Sequence, residues 1–325
     1  MKTGTILLIL AISALGLMTA PTHVQAASRT WVSGASGATD ANPCTRSAPC
    51  ATFAHAYGAT DAFGEINCID AGNFGIMVIS KSITVSCEGA TAGIFEGNDG
   101  IEITGTAATD AVYLKGLDIE GLGPSFFANT GIAFFGAGAL HVEKCRIHGF
   151  VNTSQNLGYG IVFEPNGTAS LFVSDTAIAD NGSFSGFGGG ILMQPSASAN
   201  VNVSLDHVQM TNNTFGFKAD GSNAGTIEVS VTNSLASGNR LDGFYALTTG
   251  GRTNVVISHS VSSNNGDTGI HANGSNVQLL FADTVVSGNG LGVKGVNGAT
   301  LLSYQTSPID TNTSNNTPVP AQNLH

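Results

Sequence analysis

Nine side chains between residues 164 and 294 combine types that can do chemistry on a polyhydroxylated ligand: Glu164, Gln194, Lys218, Asp220, Asp242, Tyr245, His271, Asn273 and Lys294. Two carboxyl groups set around a water can act as acid and base, and Asp242 with Asp220 or Asp267 offers one such pair. A basic side chain beside acids can abstract a proton, and Lys218, Lys294 and Arg240 are the candidates. Tyr245 supplies a ring to stack on. The amides of Gln194 and Asn273 and the imidazole of His271 supply hydrogen bonds. None of this chemistry exists unless the chain brings positions as distant as Glu164 and Lys294 onto one surface.

A repeat in the sequence would do so. A glycine followed by an apolar residue recurs at Gly100, Gly131, Gly160, Gly190, Gly216, Gly243, Gly269 and Gly292, with spacings of 31, 29, 30, 26, 27, 26 and 23. Periods of this size mark a solenoid. A second register runs in phase with the first. Asp175, Asp206, Asn233, His259 and Asp283 each stand six residues before an asparagine (Asn181, Asn212, Asn239, Asn265 and Asn289), and each follows a strand-like run such as VNVSL or IEVSVT. These five positions read as tight bends, where Asn and Asp bond local backbone. The unit predicts a coil with about three short strands per turn, each stacked about 4.8 Å from its equivalent, so eight turns make a rod of roughly 35–40 Å.

Alternation then sorts the side chains. Facing inward are Ile101/Ile103, Ile132/Phe134, Ile161/Phe163, Ile191/Met193, Phe217/Ala219, Phe244/Ala246, Ile270/Ala272 and Val293/Gly295. Two outward rows remain. One is Glu102, Ala133, Val162, Leu192, Lys218, Tyr245, His271 and Lys294. The other is Thr104, Phe135, Glu164, Gln194, Asp220, Leu247, Asn273 and Val296.

Charged residues make up 10% of the chain and the formal net charge is −11, against roughly 25% charged residues in an ordinary domain. Few, scattered cations on an acidic chain argue against nucleic acid, whose phosphates call for a basic stripe. Lys2, the apolar run from Ile6 to Met18 and the small residues around Val24-Gln25-Ala26 read as a signal peptide over residues 1–26. No later segment is long and apolar enough to span a bilayer. Export makes disulfides available. Cys44 and Cys50 flank a five-residue turn, and Cys68 and Cys87 each end a strand pattern, so two bridges are expected, Cys44–Cys50 and Cys68–Cys87. Cys145 is left as a buried thiol. The cysteine spacings lack a paired C-x-x-C pattern, so no metal site is expected.

Residues 31–74 carry a further spaced pattern: Trp31-Val32-Ser33, Asp40, Asn42-Pro43, Pro49, Thr52-Phe53, Gly64-Glu65-Ile66 and Gly72-Asn73-Phe74. It resembles the amino-terminal entry of secreted right-handed parallel β-helix proteins of the pectin-lyase-like superfamily. The resemblance implies an all-β, right-handed parallel β-helix whose open end is covered by a short helix, with Thr52 placed to cap that helix from Ala54 to Ala59. It also implies that the Gly-led sheet carries a groove for polysaccharide. The superfamily's hydrolase motifs are not matched. Asn129-Thr130-Gly131 lacks the acid of Asn-Thr-Asp-Gly, His271 stands in Ile-His-Ala-Asn rather than Gly-His-Gly, and no Arg-x-Lys occurs. Lyases of the superfamily bind Ca2+ through clustered acids, so Ca2+ is implied only for a lyase and otherwise no cofactor is.

The predicted organisation is a signal peptide over 1–26, a parallel β-helix over 27–305 with its cap in 27–75, and an Asn/Thr/Pro-rich tail over 306–325. The predicted function is engagement of extracellular or cell-surface polysaccharide by an exported (periplasmic or extracellular) monomer, with no recognisable catalytic set. The alternatives are a polysaccharide lyase or glycoside hydrolase acting on an acidic glycan, and a structural or adhesive rod.

Overall fold

The computed structural model describes residues 27–322 apart from 96–98, 124, 126–127, 153–156, 184–185, 197–198, 224 and 317–318. Residues 1–26, read from the sequence as a signal peptide, lie outside the described residues. One turn of the coil runs through a long strand, Asn200–Asp206, a short one, Gln209–Thr211, and a Gly-led one, Phe217–Asp220, before the next long strand, Thr226–Thr232. Each pairs in parallel with its equivalent one turn away. Repetition builds three parallel sheets of 11, 10 and 10 strands among the described residues. The Gly-led sheet extends one strand beyond the glycine positions at either end, to Met77–Ile79 and Ser314–Asn316.

The inward columns form as alternation predicts. Ile101, Ile132, Ile161, Ile191, Phe217, Phe244, Ile270 and Val293 lie in direct register, and none is more than 1% exposed. Each large side chain so buried contributes about 1.5–3 kcal/mol. Phe134 stacks on Phe163 at 4.5 Å. Where the second inward position shrinks to Ala219 and Ala246, the first carries Phe217 and Phe244, which fill the space.

The recurring glycine answers a close approach of backbones. A Cβ on Gly131 would lie 2.6 Å from the carbonyl oxygen of Gly160, and one on Gly190 2.4 Å from that of Gly216. On Gly243 it would lie 2.8 Å from the carbonyl of Gly269 and 2.7 Å from Asn265 Nδ2. The missing side chain points inward, since a Cβ on Gly131 would meet Ile147 Cγ2 at 2.4 Å. Glycine and the apolar residue after it therefore both face the core, and the chain turns a corner there.

A column of asparagines closes the same corner. Asn213 Oδ1 accepts the backbone N–H and the Nδ2 of Asn181, both at 3.0 Å. Asn239 does the same for Asn213's N–H (3.0 Å), Asn265 for Asn239, Asn289 for Asn265 and Asn312 for Asn289. The Nδ2 of Asn239 also reaches the carbonyl of Met210, at 3.1 Å.

The bends differ from the sequence reading in two respects. Asp175, Asn233, His259 and Asp283 are left-handed, with φ of 48°, 49°, 50° and 48°, but in the remaining turn the left-handed residue is His207 (φ 54°) rather than Asp206. The matching asparagine is Asn213, not Asn212. Two adjacent asparagines made both spacings readable; only Asn213 turns inward, while Asn212 is exposed and itself left-handed (φ 57°). Second, the bend side chains bond across turns instead of to local backbone: Asp206 Oδ1 accepts from Thr232 Oγ1 and Asn233 Nδ2. Beside the bends runs a hydroxyl column, in which Thr176, Ser234 and Ser260 accept the N–H of Cys145, Val208 and Ser234. Cys145 takes the corresponding place one turn before Thr176, its Sγ directed at the carbonyl of Glu143, and burial pushes its thiol up to about 12. It fills space and is no nucleophile.

The cap is the helix Phe53–Ala59, with Thr52 Oγ1 accepting from the N–H of His55. Asp40 fastens the preceding loop by accepting from Ala51 N, Thr52 N and Thr52 Oγ1. Cys44–Cys50 and Cys68–Cys87 are both bridged. No helix among the described residues is long and apolar enough to cross a membrane.

Asn239→Ala strips the buried N–H of Asn213 of its acceptor and is expected to lower the unfolding free energy by about 3 kcal/mol. Asn212→Gly, which copies the glycine of the next turn at an exposed left-handed position, should stay within about 0.5 kcal/mol of the parent. Urea denaturation of both variants checks the assignment, and reversed effects would refute it.

Candidate functional site

The two outward rows of the Gly-led sheet form in the predicted register, from Glu102 through Ala133, Val162, Leu192, Lys218, Tyr245 and His271 to Lys294. The corner adds a third row. Because each glycine turns inward, the residue before it faces out, which brings Asp99, Thr130, Tyr159, Phe215 and Asp242 to the same surface. Counting parity forward from the glycine misses this row; counting one residue back would have found it.

The surface is recessed. Ala133, Val162, Leu192, Asp220 and His271 point away from the core, yet none is more than 7% exposed. Over the amino-terminal turns the recess deepens into a cleft of about 290 Å³. Its floor is Ala133, Val162 and Leu192. Phe135 and Leu157 add apolar wall, and Asp99, Thr130, Tyr159, Glu164 and Gln194 supply polar groups. Burial holds the carboxyl groups of Asp99 and Glu164 above their ordinary range, and for Asp99 the neighbouring charge of Glu102 pushes the same way. The Tyr159 hydroxyl is likewise raised, chiefly by burial.

Beside the cleft, Asp220 collects donors. Gln194 Nε2 lies 3.2 Å from its Oδ2, Lys218 Nζ 3.5 Å from the same oxygen, and Ser222 N donates to Oδ1 at 3.1 Å. Lys218 also stands 5.8 Å above the ring of Phe215.

The carboxyl-terminal turns carry a ladder of rings. Phe215 and Tyr245 are 6.2 Å apart, and Tyr245 stacks on His271 at 4.4 Å with planes 13° apart. Asn273 Nδ2 donates to the Tyr245 hydroxyl, which burial raises above its usual pKa. Asp242 accepts Thr268 N through one oxygen (3.0 Å) and His271 Nδ1 through the other (3.2 Å). The other ring nitrogen, Nε2, is buried and has no hydrogen-bond partner among the described residues.

The nine sequence candidates therefore fall into connected groups. Glu164 and Gln194 line the cleft, with Gln194 linking it to Asp220 and Lys218. Asp242, Tyr245, His271 and Asn273 form the ring cluster, and Lys294 follows His271 in register. Asp242 and Asp220 do not form a hydrolytic pair. Asp220 pairs with Leu247, five residues further along the strand from Asp242, which puts the two about 15 Å apart. Among the described residues, one group of potential metal ligands lies within mutual reach, Cys44, Cys50 and His55, and its two sulfurs are bonded to each other.

No protein-family model and no curated protein sequence matches the chain. Solved structures do. Pectate lyase Pel9A superposes with a TM-score of 0.60 at 15% identity, covering 92% of this chain and 82% of that one. The shared fold is a parallel β-helix. The Dettilon tailspike protein shares it with a TM-score of 0.50 at 15% identity, covering 84% of this chain, which spans 60% of the tailspike's length. At such identities the β-helix is what the three chains have in common.

The cleft makes its own pH prediction. A carboxyl whose pKa rises on folding stabilises the protein below its unfolded value, and that contribution is lost as pH climbs through the folded value. Glu164→Gln should therefore raise the melting temperature at pH 7–8 and converge on the parent below the ordinary glutamate value of 4.5. Thermal melts across pH check this; a destabilised variant at neutral pH would contradict the burial of Glu164.

Proposed function

We propose that the Gly-led face binds a linear polysaccharide outside the cytoplasm, with the chain lying along the coil axis. The observation that carries this is the continuity of the recessed face: an apolar-floored cleft with polar walls leads, turn by turn, into a ladder of aromatic and amide groups. From Ala133 to His271 is five turns, about 24 Å, room for several sugar residues in a row. Apolar floors with sparse polar groups suit sugar rings, whose faces are apolar and whose edges are hydroxyls. Two disulfides fit an oxidising compartment. The two structural neighbours, by name a pectate lyase and a tailspike, agree with an extracellular setting.

A glycan array probed with the mature chain tests the reading. Gln194→Ala and Tyr245→Ala should each weaken binding about tenfold, as loss of one hydrogen bond or one stacking ring does. Phe172→Ala, on the outer face of the long-strand sheet, should leave it unchanged. Equal binding by all three variants would remove the Gly-led face from consideration.

A further inference from the structure

A second pocket lies at the amino-terminal end of the long-strand sheet and does not depend on the Gly-led face. The first strand, Ala27–Val32, pairs with Thr60–Cys68, with Arg29 beside Glu65 and Trp31 beside Asn67. Thr30 and Val32 are buried, so Arg29 and Trp31 face outward. The turn bridged by Cys44 and Cys50 is tied to the same strand. Trp31 N donates to the carbonyl of Cys44 at 2.9 Å, and Cys50 N donates to that of Trp31 at 3.0 Å. This brings Arg46, carried by the turn, to the outer face. Arg29, Trp31, Arg46, Asn67, Cys68 and Ile69 together line a pocket of about 290 Å³.

The pocket is cationic on a chain whose formal net charge is −11. Arg46 makes no hydrogen bond or ion pair with a described residue. Arg29 gives Nε and Nη2 to one oxygen of Glu65, at 3.1 and 2.8 Å, which leaves its Nη1 unengaged among the described residues. Two guanidinium groups against one carboxylate leave the site positive. Asn67 adds an amide whose Nδ2 is buried and has no hydrogen-bond partner among the described residues. An unpaired buried donor is costly, and an acceptor brought in by a ligand would relieve it. The terminal torsion of asparagine is broad, so the amide can turn to meet one. Trp31, the one tryptophan of the chain, and Ile69 supply apolar wall.

We propose that this pocket binds a single sugar residue bearing a carboxylate, a uronic acid, with the carboxylate on Arg46 and the ring against Trp31. A guanidinium offers paired N–H donors that match the two oxygens of a carboxylate. An indole suits the apolar face of a sugar ring, and an amide suits its hydroxyl edge. At about 290 Å³ the pocket is near the lower end for small-molecule sites, roughly 300 Å³. That is room for one sugar residue and more than an inorganic oxyanion fills. The acidity of the rest of the chain repels a polyanion, so one charged residue at an end or a branch is favoured over a run of them. Cys68 in the wall is bridged to Cys87 and offers no thiol, so the association is non-covalent.

The test titrates the mature protein with glucuronate and galacturonate, with glucose and galactose as their neutral counterparts, and with inorganic phosphate and sulfate. Calorimetry measures affinity, and the emission of Trp31 reports where the ligand sits. Expected is saturable binding of the uronates with a change in that emission, and binding of the neutral sugars and the ions weaker by about tenfold or more. Arg46→Ala should weaken uronate binding about 10–100-fold, the range for loss of a hydrogen-bonded charge pair. Arg46→Lys should recover only part of it, because an ammonium lacks the paired contact. Arg46 is exposed on a disulfide-bridged turn, so neither change threatens the fold. Tyr245→Ala, on the Gly-led face, should leave uronate binding here unchanged. Undiminished affinity in Arg46→Ala, heat without a change at Trp31, neutral sugars or inorganic ions binding as well as the uronates, or no uronate binding at all would each overturn the proposal. Because Arg46 and Tyr245 stand on different sheets, any of these outcomes leaves the Gly-led reading to its own variants.

Discussion

Everything in this molecule depends on one vertical constraint: each turn must sit in register on the turn below, like residue above like. Parallel ladders repeat every 4.8 Å or so, and at the corner the fit is tightest. There the carbonyl of one glycine occupies the place where a side chain on the glycine of the turn before would go, and the asparagine column carries amide hydrogen bonds straight up the stack. A slip of one residue would turn the apolar set outward and unpair buried amides in the same step. Turn lengths nevertheless vary from 23 to 31 residues between successive glycines. The variation is absorbed between strands, where the ladder makes no demand.

The same constraint shapes the functional face. Stacking equivalents on one another multiplies whatever a row contains, so rings become ladders and carboxyl groups become acidic clefts. Tyr245 on His271 is the favourable case. Within one turn, Asp99 shows the cost of such recess: burial, and then the neighbouring charge of Glu102, raise its carboxyl. His271 shows how the protein manages a polar group in such a column: Asp242, anchored by the N–H of Thr268, takes one ring nitrogen, and the other has no partner among the described residues. A buried orphan of that kind costs about 1–3 kcal/mol. It is tolerated here on a scaffold whose remaining polar columns, asparagine and hydroxyl alike, are bonded turn by turn.

Much of this was legible in the residues. The glycine–apolar pairs, the inward columns, both outward rows, the cap with its Thr52 and the two cysteine pairs all follow from local rules, because alternation and turn chemistry act over a few positions. The failures arise where the local rules give way to the stacking of turns. Asp99 and Tyr159 were missed because parity breaks where glycine and its successor both turn inward. Asn212 was taken for Asn213 because adjacent asparagines satisfy the same spacing, and only the ladder distinguishes them. Asp242 was set against Asp220, although Asp242 precedes the corner and Asp220 pairs with Leu247 at the far end of the following strand.

By itself, then, the sequence determined the coil, its period, and which side chains face in or out. Those depend on period and neighbouring residues. Only the tertiary structure decided how deep the Gly-led face lies, which carboxyl group lines its cleft, and which is bonded by Lys218 and Gln194. Depth and pairing depend on walls built by segments outside the repeat and on side chains from different turns meeting across it. No periodicity encodes those distances.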